Sequence, residues 1–220
     1  MVTYESLRQD DEIKAYIEAA DASLDALGFT EHSYAHITRV ASVAGDLLEK
    51  LGRDAHTVEL SRSAGYLHDI GNTVNRIDHS QSGAIIAFRL LEKRGMPARD
   101  IATVVTAIGN HDEGTGVPVS DVSAALILAD KSDVRRSRVR HPEALNMQDI
   151  HDRVNASVER SELVLSEDCK TATLVLTVSE ETGSMVDFFE IFLGRMLLCR
   201  RACERLGLAF RVEANGQRLL

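Results

Sequence analysis

Tyr66-Leu67-His68-Asp69-Ile70-Gly71-Asn72 closes an otherwise apolar helical stretch with a histidine and an aspartate side by side. A core has little use for two strongly polar side chains there, because an unpaired buried carboxylate is expensive to desolvate. The pair calls for a partner, and a bound cation is the obvious one. Imidazole and carboxylate together suit borderline to hard divalent ions. Neighbouring helical residues point about 100° apart, so His68 and Asp69 can converge on one ion only at a helix end, with other ligands arriving from elsewhere. Gly71 is read as that end, and the negative pole of the helix favours a cation there.

The rest of the chain supports a globular body around this stretch. Its 220 residues can form one sizeable core, or one domain with a small appendage. Hydrophobic content of 44% and charged content of 27% are ordinary for such a body, and the absence of Trp and the three Pro fit a mostly helical protein. Acidic residues outnumber basic ones by 34 to 25, a formal charge of −9, which argues against an extended nucleic-acid partner. No stretch reads as a membrane span, since the most apolar run, Met185 to Leu198, contains Asp187, Glu190 and Arg195. The start, Met1 to Glu5, lacks the features of a signal peptide. Cys169, Cys199 and Cys203 are an odd count without CxxC spacing and are read as buried free thiols in a reducing cytoplasm.

Helical periodicity runs through the first two thirds. Ile13, Ile17, Ala20, Leu24 and Leu27 precede Gly28; Ser33 caps a helix carrying Ile37, Val40, Ala44, Leu47 and Leu48; Asp54 caps the helix that leads to His68. His36 lies in a first turn on the apolar side. His79 follows a short loop, Asn72 to Asp78, and is read as a loop residue ahead of the next helix. His111 falls three residues beyond Ile108 and Asp130 four beyond Leu126, each ending an apolar face. From Lys131 to Arg140 five basic residues stand against one acid, a local charge of +4 that suits either structural salt bridges or phosphate binding.

After about residue 145 the texture changes. One more helix, around Ile150 to Val158, precedes strand-like alternation at Leu163 and Leu165 and at Leu174, Leu176 and Val178, with Ser166 to Lys170 as a hairpin loop. A long helix from about Ser184 to Leu206 and a strand over Ala209 to Ala214 complete a small α+β appendage with antiparallel strands. The expected division is 1–160 for the helical metal-binding body and 161–220 for the appendage packed on it.

Four helix ends or starts thus present inward His or Asp residues: His36, His68 with Asp69, His111 and Asp130, with His79 beside them. Four imidazoles and two carboxylates are about what two five- or six-coordinate ions need, whereas a structural zinc site would want thiolates. In this order the residues resemble the ligand set of the HD-domain superfamily of metal-dependent phosphohydrolases. His79 in His-Ser-Gln-Ser-Gly-Ala and His111 in Gly-Asn-His-Asp-Glu-Gly resemble the two extra histidines of its binuclear branch, which includes bacterial hydrolases of diadenosine tetraphosphate.

The resemblance implies a mainly α HD-type helical bundle and two divalent ions, with Mn, Fe, Mg and Co all compatible. His36, His68, Asp69 and Asp130 would hold one ion; Asp69 would bridge to a second held by His79 and His111. A water activated between the ions would cleave a phosphoester or phosphoanhydride in a nucleotide or related small phosphorylated molecule. Lys131, Arg135, Arg136 and Arg76 are the expected phosphate-binding residues, and Asp112 and Glu113 the residues that orient water or protonate a leaving group. Two other readings stay open: a regulatory metal- and nucleotide-binding protein whose appendage mediates dimerisation or partner contact, and a di-iron oxygenase.

Overall fold

The computed structural model of the protein describes residues 2–29, 33–138, 150–179 and 185–219. Helix α1 spans Tyr4–Arg8 and α2 spans Asp11–Ala26, the latter started by Asp10, whose carboxylate accepts from the backbone N–H groups of Glu12 and Ile13. Of the stripe its periodicity foretells, Ile13, Ile17, Ala20 and Leu24 are buried, whereas Leu27 is exposed because the helix ends at Ala26 and Leu27 caps it. Helices α3 (Tyr34–Lys50) and α4 (Ala55–Leu67) begin on the caps Ser33 and Asp54 and pack closely together. They come close together at Gly65, where a Cβ would lie 2.7 Å from the Cα of Ala41. That contact sets His36 of α3 beside His68, the residue that ends α4.

A 3-10 turn over Ile70–Thr73 leads to α5 (His79–Lys93), then α6 (Ala98–Gly109) and α7 (Asp121–Lys131). Every residue of α7 from Val122 to Lys131 is buried, so this helix is the axis of the body and delivers Asp130 to its centre. A second 3-10 turn, Arg136–Arg138, follows.

Two expectations are corrected in this region. Gly71 does not stop the helix: α4 ends at Leu67, and Gly71 lies inside the 3-10 turn. Its small size serves a close approach instead, since a Cβ there would stand 1.9 Å from the carbonyl oxygen of His79 and 2.4 Å from the nitrogen of Gly83. His79 is not a loop residue but the first residue of α5, because Asp78 adopts a left-handed conformation (φ 56°) that turns the chain into the helix directly ahead of it.

The C-terminal part comprises α8 (Ile150–Ser157), β1 (Val158–Leu165), β2 (Thr171–Val178), α9 (Met185–Leu206), β3 (Ala209–Ala214) and β4 (Gln217–Arg218). The expected starting point of the long helix, Ser184, lies outside the described residues, as do Val139 and Arg140 of the basic segment. The four strands lie in the order β1-β2-β3-β4. The hairpin β1–β2 is antiparallel as expected, but β2 and β3 run parallel, Thr171 opposite Ala209 and Leu176 opposite Ala214. The reason is the connection: α9 carries the chain back along the sheet, the crossover that parallel neighbours need.

Ala172, Leu174, Leu176 and Val178 form the buried face of β2. Helix α9 buries Phe188, Phe192, Met196, Cys199 and Leu206 and packs on α7, so the appendage shares one continuous core with the helical body. Among the described residues, no helix is long and apolar enough to cross a membrane.

Candidate metal centre

His36, His68, Asp69, His79, His111 and Asp130, each near the start or end of a helix, meet in one buried cluster, none more than 9% exposed. The four imidazoles form a row of edge-to-face neighbours: ring centres are 5.2 Å apart for His36 and His68, 5.0 Å for His68 and His111, and 5.0 Å for His111 and His79.

Their Nε2 atoms all turn inward. Nε2 of His36 lies 3.3 Å from Nε2 of His68, and Nε2 of His79 lies 3.2 Å from that of His111. The outer nitrogens explain this orientation. Nδ1 of His68, His79 and His111 donates to the carbonyl oxygens of Gly65, Arg76 and Ile108 at 2.8, 3.1 and 2.6 Å. Nδ1 of His36 donates to Oδ2 of Asp133 at 2.8 Å. With each Nδ1 turned to an acceptor, each Nε2 is aimed at the cluster, where it can give its lone pair to a cation in place of a proton.

The carboxylates fill the gaps between the rings. Oδ2 of Asp69 lies 3.1 Å from Nε2 of His68 and 3.5 Å from Nε2 of His36, while its Oδ1 lies 3.6 Å from Nε2 of His79. Oδ1 of Asp130 lies 3.4 Å from Nε2 of His36 and 3.7 Å from Nε2 of His68. Metal–nitrogen bonds of about 2.1 Å place adjacent ligand atoms about 3.0–3.4 Å apart, so these spacings are those of donors sharing an ion. Two trios, His36 with His68 and Asp130, and His68 with Asp69 and His111, each bring their donor atoms close enough to hold one.

Electrostatics mark the same point. Burial alone would lower the His68 ring, but the carboxylates of Asp69 and Asp130 outweigh it and push its pKa up to about 10. For His36 burial is likewise outweighed, by its hydrogen bonds to Asp130, Asp133 and Asp69, and its pKa is raised. His111 goes the other way: burial and the charge at His68 push it down to about 3. Burial would raise Asp130, yet Lys131 and the rings of His36 and His68 hold it well below the usual carboxylate range. The carboxylates therefore demand positive charge between the rings, which a divalent cation supplies. Residues and group fit: nitrogen and oxygen donors only, with no thiolate among them.

Around this centre the other expected residues separate. Arg76 reaches it, Nη1 standing 3.3 Å from Nε2 of His79 and 4.0 Å from Oδ1 of Asp69. Lys131 is buried with Nζ 2.6 Å from Oδ2 of Asp130. Asp112 lies at the edge, Oδ1 4.0 Å from Nε2 of His79 and a third exposed. Burial would raise its pKa, but Lys131 and the His79 and His111 rings outweigh this and keep it low. Glu113 accepts from Arg195 of α9 at 2.7 Å. Arg135 turns to Asp133 at 2.6 Å, and Arg136 donates to the carbonyl of Ala156 and reaches Glu159, so the structure does not bring these two to the ligand cluster.

Sequence reading missed Asp133. It is 1% exposed, supports His36 from behind and is itself held by Arg39 at 3.1 Å and Arg135. Burial would raise it, but the His36 ring and Arg135 keep it well below the usual range. Its place three residues after Asp130 was the available signal, hidden in a segment that reads as basic. Asn72 was missed as well; its amide donates to Oδ1 of Asp69 at 3.1 Å and to the carbonyl of Asp69 at 2.8 Å, steadying that carboxylate.

The uncharacterized protein MJ1020 of Methanocaldococcus jannaschii is 25% identical over 203 residues, covering 82% of this chain and 77% of that protein. The HD domain matches residues 33–154, more than half the chain and the segment that carries all six clustered His and Asp residues. The chain belongs to the HD domain family.

Proposed function

We propose that this protein is a metal-dependent phosphohydrolase that uses two divalent ions to cleave a phosphoester or phosphoanhydride bond in a nucleotide or related small phosphorylated molecule. The observation that carries this reading is the two-sided placement of Asp69, with Oδ2 toward His36 and His68 and Oδ1 toward His79. A carboxylate that offers one oxygen to each of two histidine sets is arranged as a bridging ligand. His36, His68, Asp69 and Asp130 would hold one ion, and Asp69, His79 and His111 the other. The complete set is in keeping with the binuclear branch of the family, which includes bacterial hydrolases of diadenosine tetraphosphate.

When bound, such a pair of ions supplies Lewis acidity toward phosphoryl oxygens and lowers the pKa of a water between them. The chain's own groups do the rest. Arg76, 31% exposed beside His79, offers a guanidinium fork to a phosphoryl oxygen at the mouth. Lys131 adds an ammonium on the Asp130 side. Asp112 stays ionised at the rim and accepts a hydrogen bond from a water or substrate hydroxyl, the role of an orienting base.

The test is release of phosphate or nucleotide from a panel of mono-, di-, cyclic and dinucleotides. Metal-stripped protein is resupplied with manganese, magnesium, iron or cobalt, and Asp69→Ala serves as control. Turnover of one class, absent in the variant, supports the reading. Silence across the panel with two ions bound per chain would overturn it in favour of a binding protein, and oxygen consumption with a diol substrate in favour of a di-iron oxygenase.

A further inference from the structure

From helix α9, Arg195 reaches toward the candidate metal centre, and it lies outside the segment matched by the HD domain. Its Nε donates to Oε1 of Glu113 at 2.7 Å, and its guanidinium carbon sits 4.2 Å from the centre of the Phe192 ring one turn earlier. Phe192 is buried, so the guanidinium rests on a fixed aromatic face. The same Oε1 of Glu113 lies 3.8 Å from Nζ of Lys131, which contacts Oδ2 of Asp130 at 2.6 Å. Charges therefore alternate from α9 inward: Arg195, Glu113, Lys131, Asp130. The loop that carries Asp112 and Glu113 is wedged against α9, since a Cβ on Gly116 would lie 3.2 Å from Cδ2 of Leu198 and 2.4 Å from the carbonyl of Asp112.

We infer that Arg195 is a positioning residue for phosphate: by neutralising Glu113 it leaves the Lys131 ammonium, already bound to Asp130, able to receive a phosphoryl oxygen. This inference rests on the phosphohydrolase reading. Lys131 is 6% exposed at the side chain and stands between two carboxylates. Without Arg195, Glu113 closes the 3.8 Å gap to Lys131 and brings an uncompensated negative charge to the site mouth, where it repels an anionic ligand. The C-terminal appendage thereby sets the charge of a centre whose ligands all come from the helical body.

The experiment is calorimetric binding of inorganic phosphate to the full-length manganese-loaded protein, with metal content measured on the same samples. The variants are Arg195→Gln, Arg195→Lys, Glu113→Gln and the double variant Arg195→Gln/Glu113→Gln. The expected result is that Arg195→Gln weakens phosphate binding by about tenfold at unchanged manganese content, as loss of one member of a partly buried charge pair does. Arg195→Lys keeps most of the affinity. Adding Glu113→Gln to Arg195→Gln restores it, because the charge that needed neutralising is gone.

A double variant as weak as Arg195→Gln would show a mere strut and overturn the inference, as would an Arg195→Gln protein that binds phosphate like the wild type or loses manganese. Should Arg195→Gln fail to fold, Glu113→Gln alone decides, since it must bind phosphate at least as tightly as the wild type. If the wild type with two manganese ions binds no phosphate, the phosphohydrolase reading falls with the inference. If it binds and the variants do not follow the expected order, the inference alone falls.

Discussion

Nδ1 of His36 donates to Oδ2 of Asp133 at 2.8 Å, tying a candidate ligand on α3 to a carboxylate just past the end of α7. A carboxylate behind a histidine fixes its tautomer and raises its basicity toward a metal. Asp133→Asn should therefore lower metal affinity by about 10–100-fold. Competition with a chromogenic chelator reads this directly, and an unchanged constant would deny Asp133 that role.

On the proposed reading, the two-sided Asp69 separates the candidate ligands into two sets. His79→Ala removes a donor from only one of them, so the wild type should retain two ions per chain and the variant one. Elemental analysis after reconstitution and desalting counts them. Two ions retained in His79→Ala would refute the bridging assignment.

Gly71 leaves no room for a side chain against His79 and Gly83. Gly71→Ala must push the 3-10 turn away from the start of α5, at a cost of about 1–3 kcal/mol as for other overpacked sites. Because the displaced residue, His79, is itself a proposed ligand, the melting temperature and metal retention should fall together. Loss of stability with full metal content would show that the strain is absorbed elsewhere.

Asp10 and Arg94 form a two-pronged ion pair between the start of α2 and the end of α5, with Nε of Arg94 donating to Oδ2 of Asp10 at 2.8 Å. Arg94, helped by the capped backbone of α2, holds the Asp10 carboxyl below its ordinary value. A carboxyl lowered on folding adds stability that is fully present above its unfolded pKa, about 3.9, and disappears as pH falls through the lower folded value. Asp10→Ala should cost about 1–2 kcal/mol near pH 7. The gap between variant and wild-type urea midpoints should narrow steadily below about pH 4. A gap independent of pH would mean that the carboxylate charge contributes nothing.

Much of this protein was legible in its sequence because the signals are local. The stripe Ile13, Ile17, Ala20 and Leu24 declares a helix with one buried face, and the alternation of Leu174, Leu176 and Val178 declares a strand, since side-chain direction repeats every 3.6 or 2 residues. The six His and Asp residues could be picked out because each ends or begins such an apolar face. The basic segment was ambiguous for the opposite reason: its charges are plain, but whether Arg135 and Arg138 meet phosphate or Asp133 depends on where the chain turns after α7.

Taken alone, then, the sequence determined a mainly helical body, an α+β tail and six inward-facing candidate ligands, because periodicity, caps and residue chemistry act over a few neighbouring residues. Only the tertiary structure decided what stands behind and beside those ligands. Asp133 supports His36 across 97 residues of chain and Arg195 meets Glu113 across 82. Gly71 needs its smallness for a neighbour that arrives with α5, and β3 runs parallel to β2 because α9 returns the chain along the sheet. Those partners are brought together by packing of whole helices against one another, and no short stretch of residues carries that information.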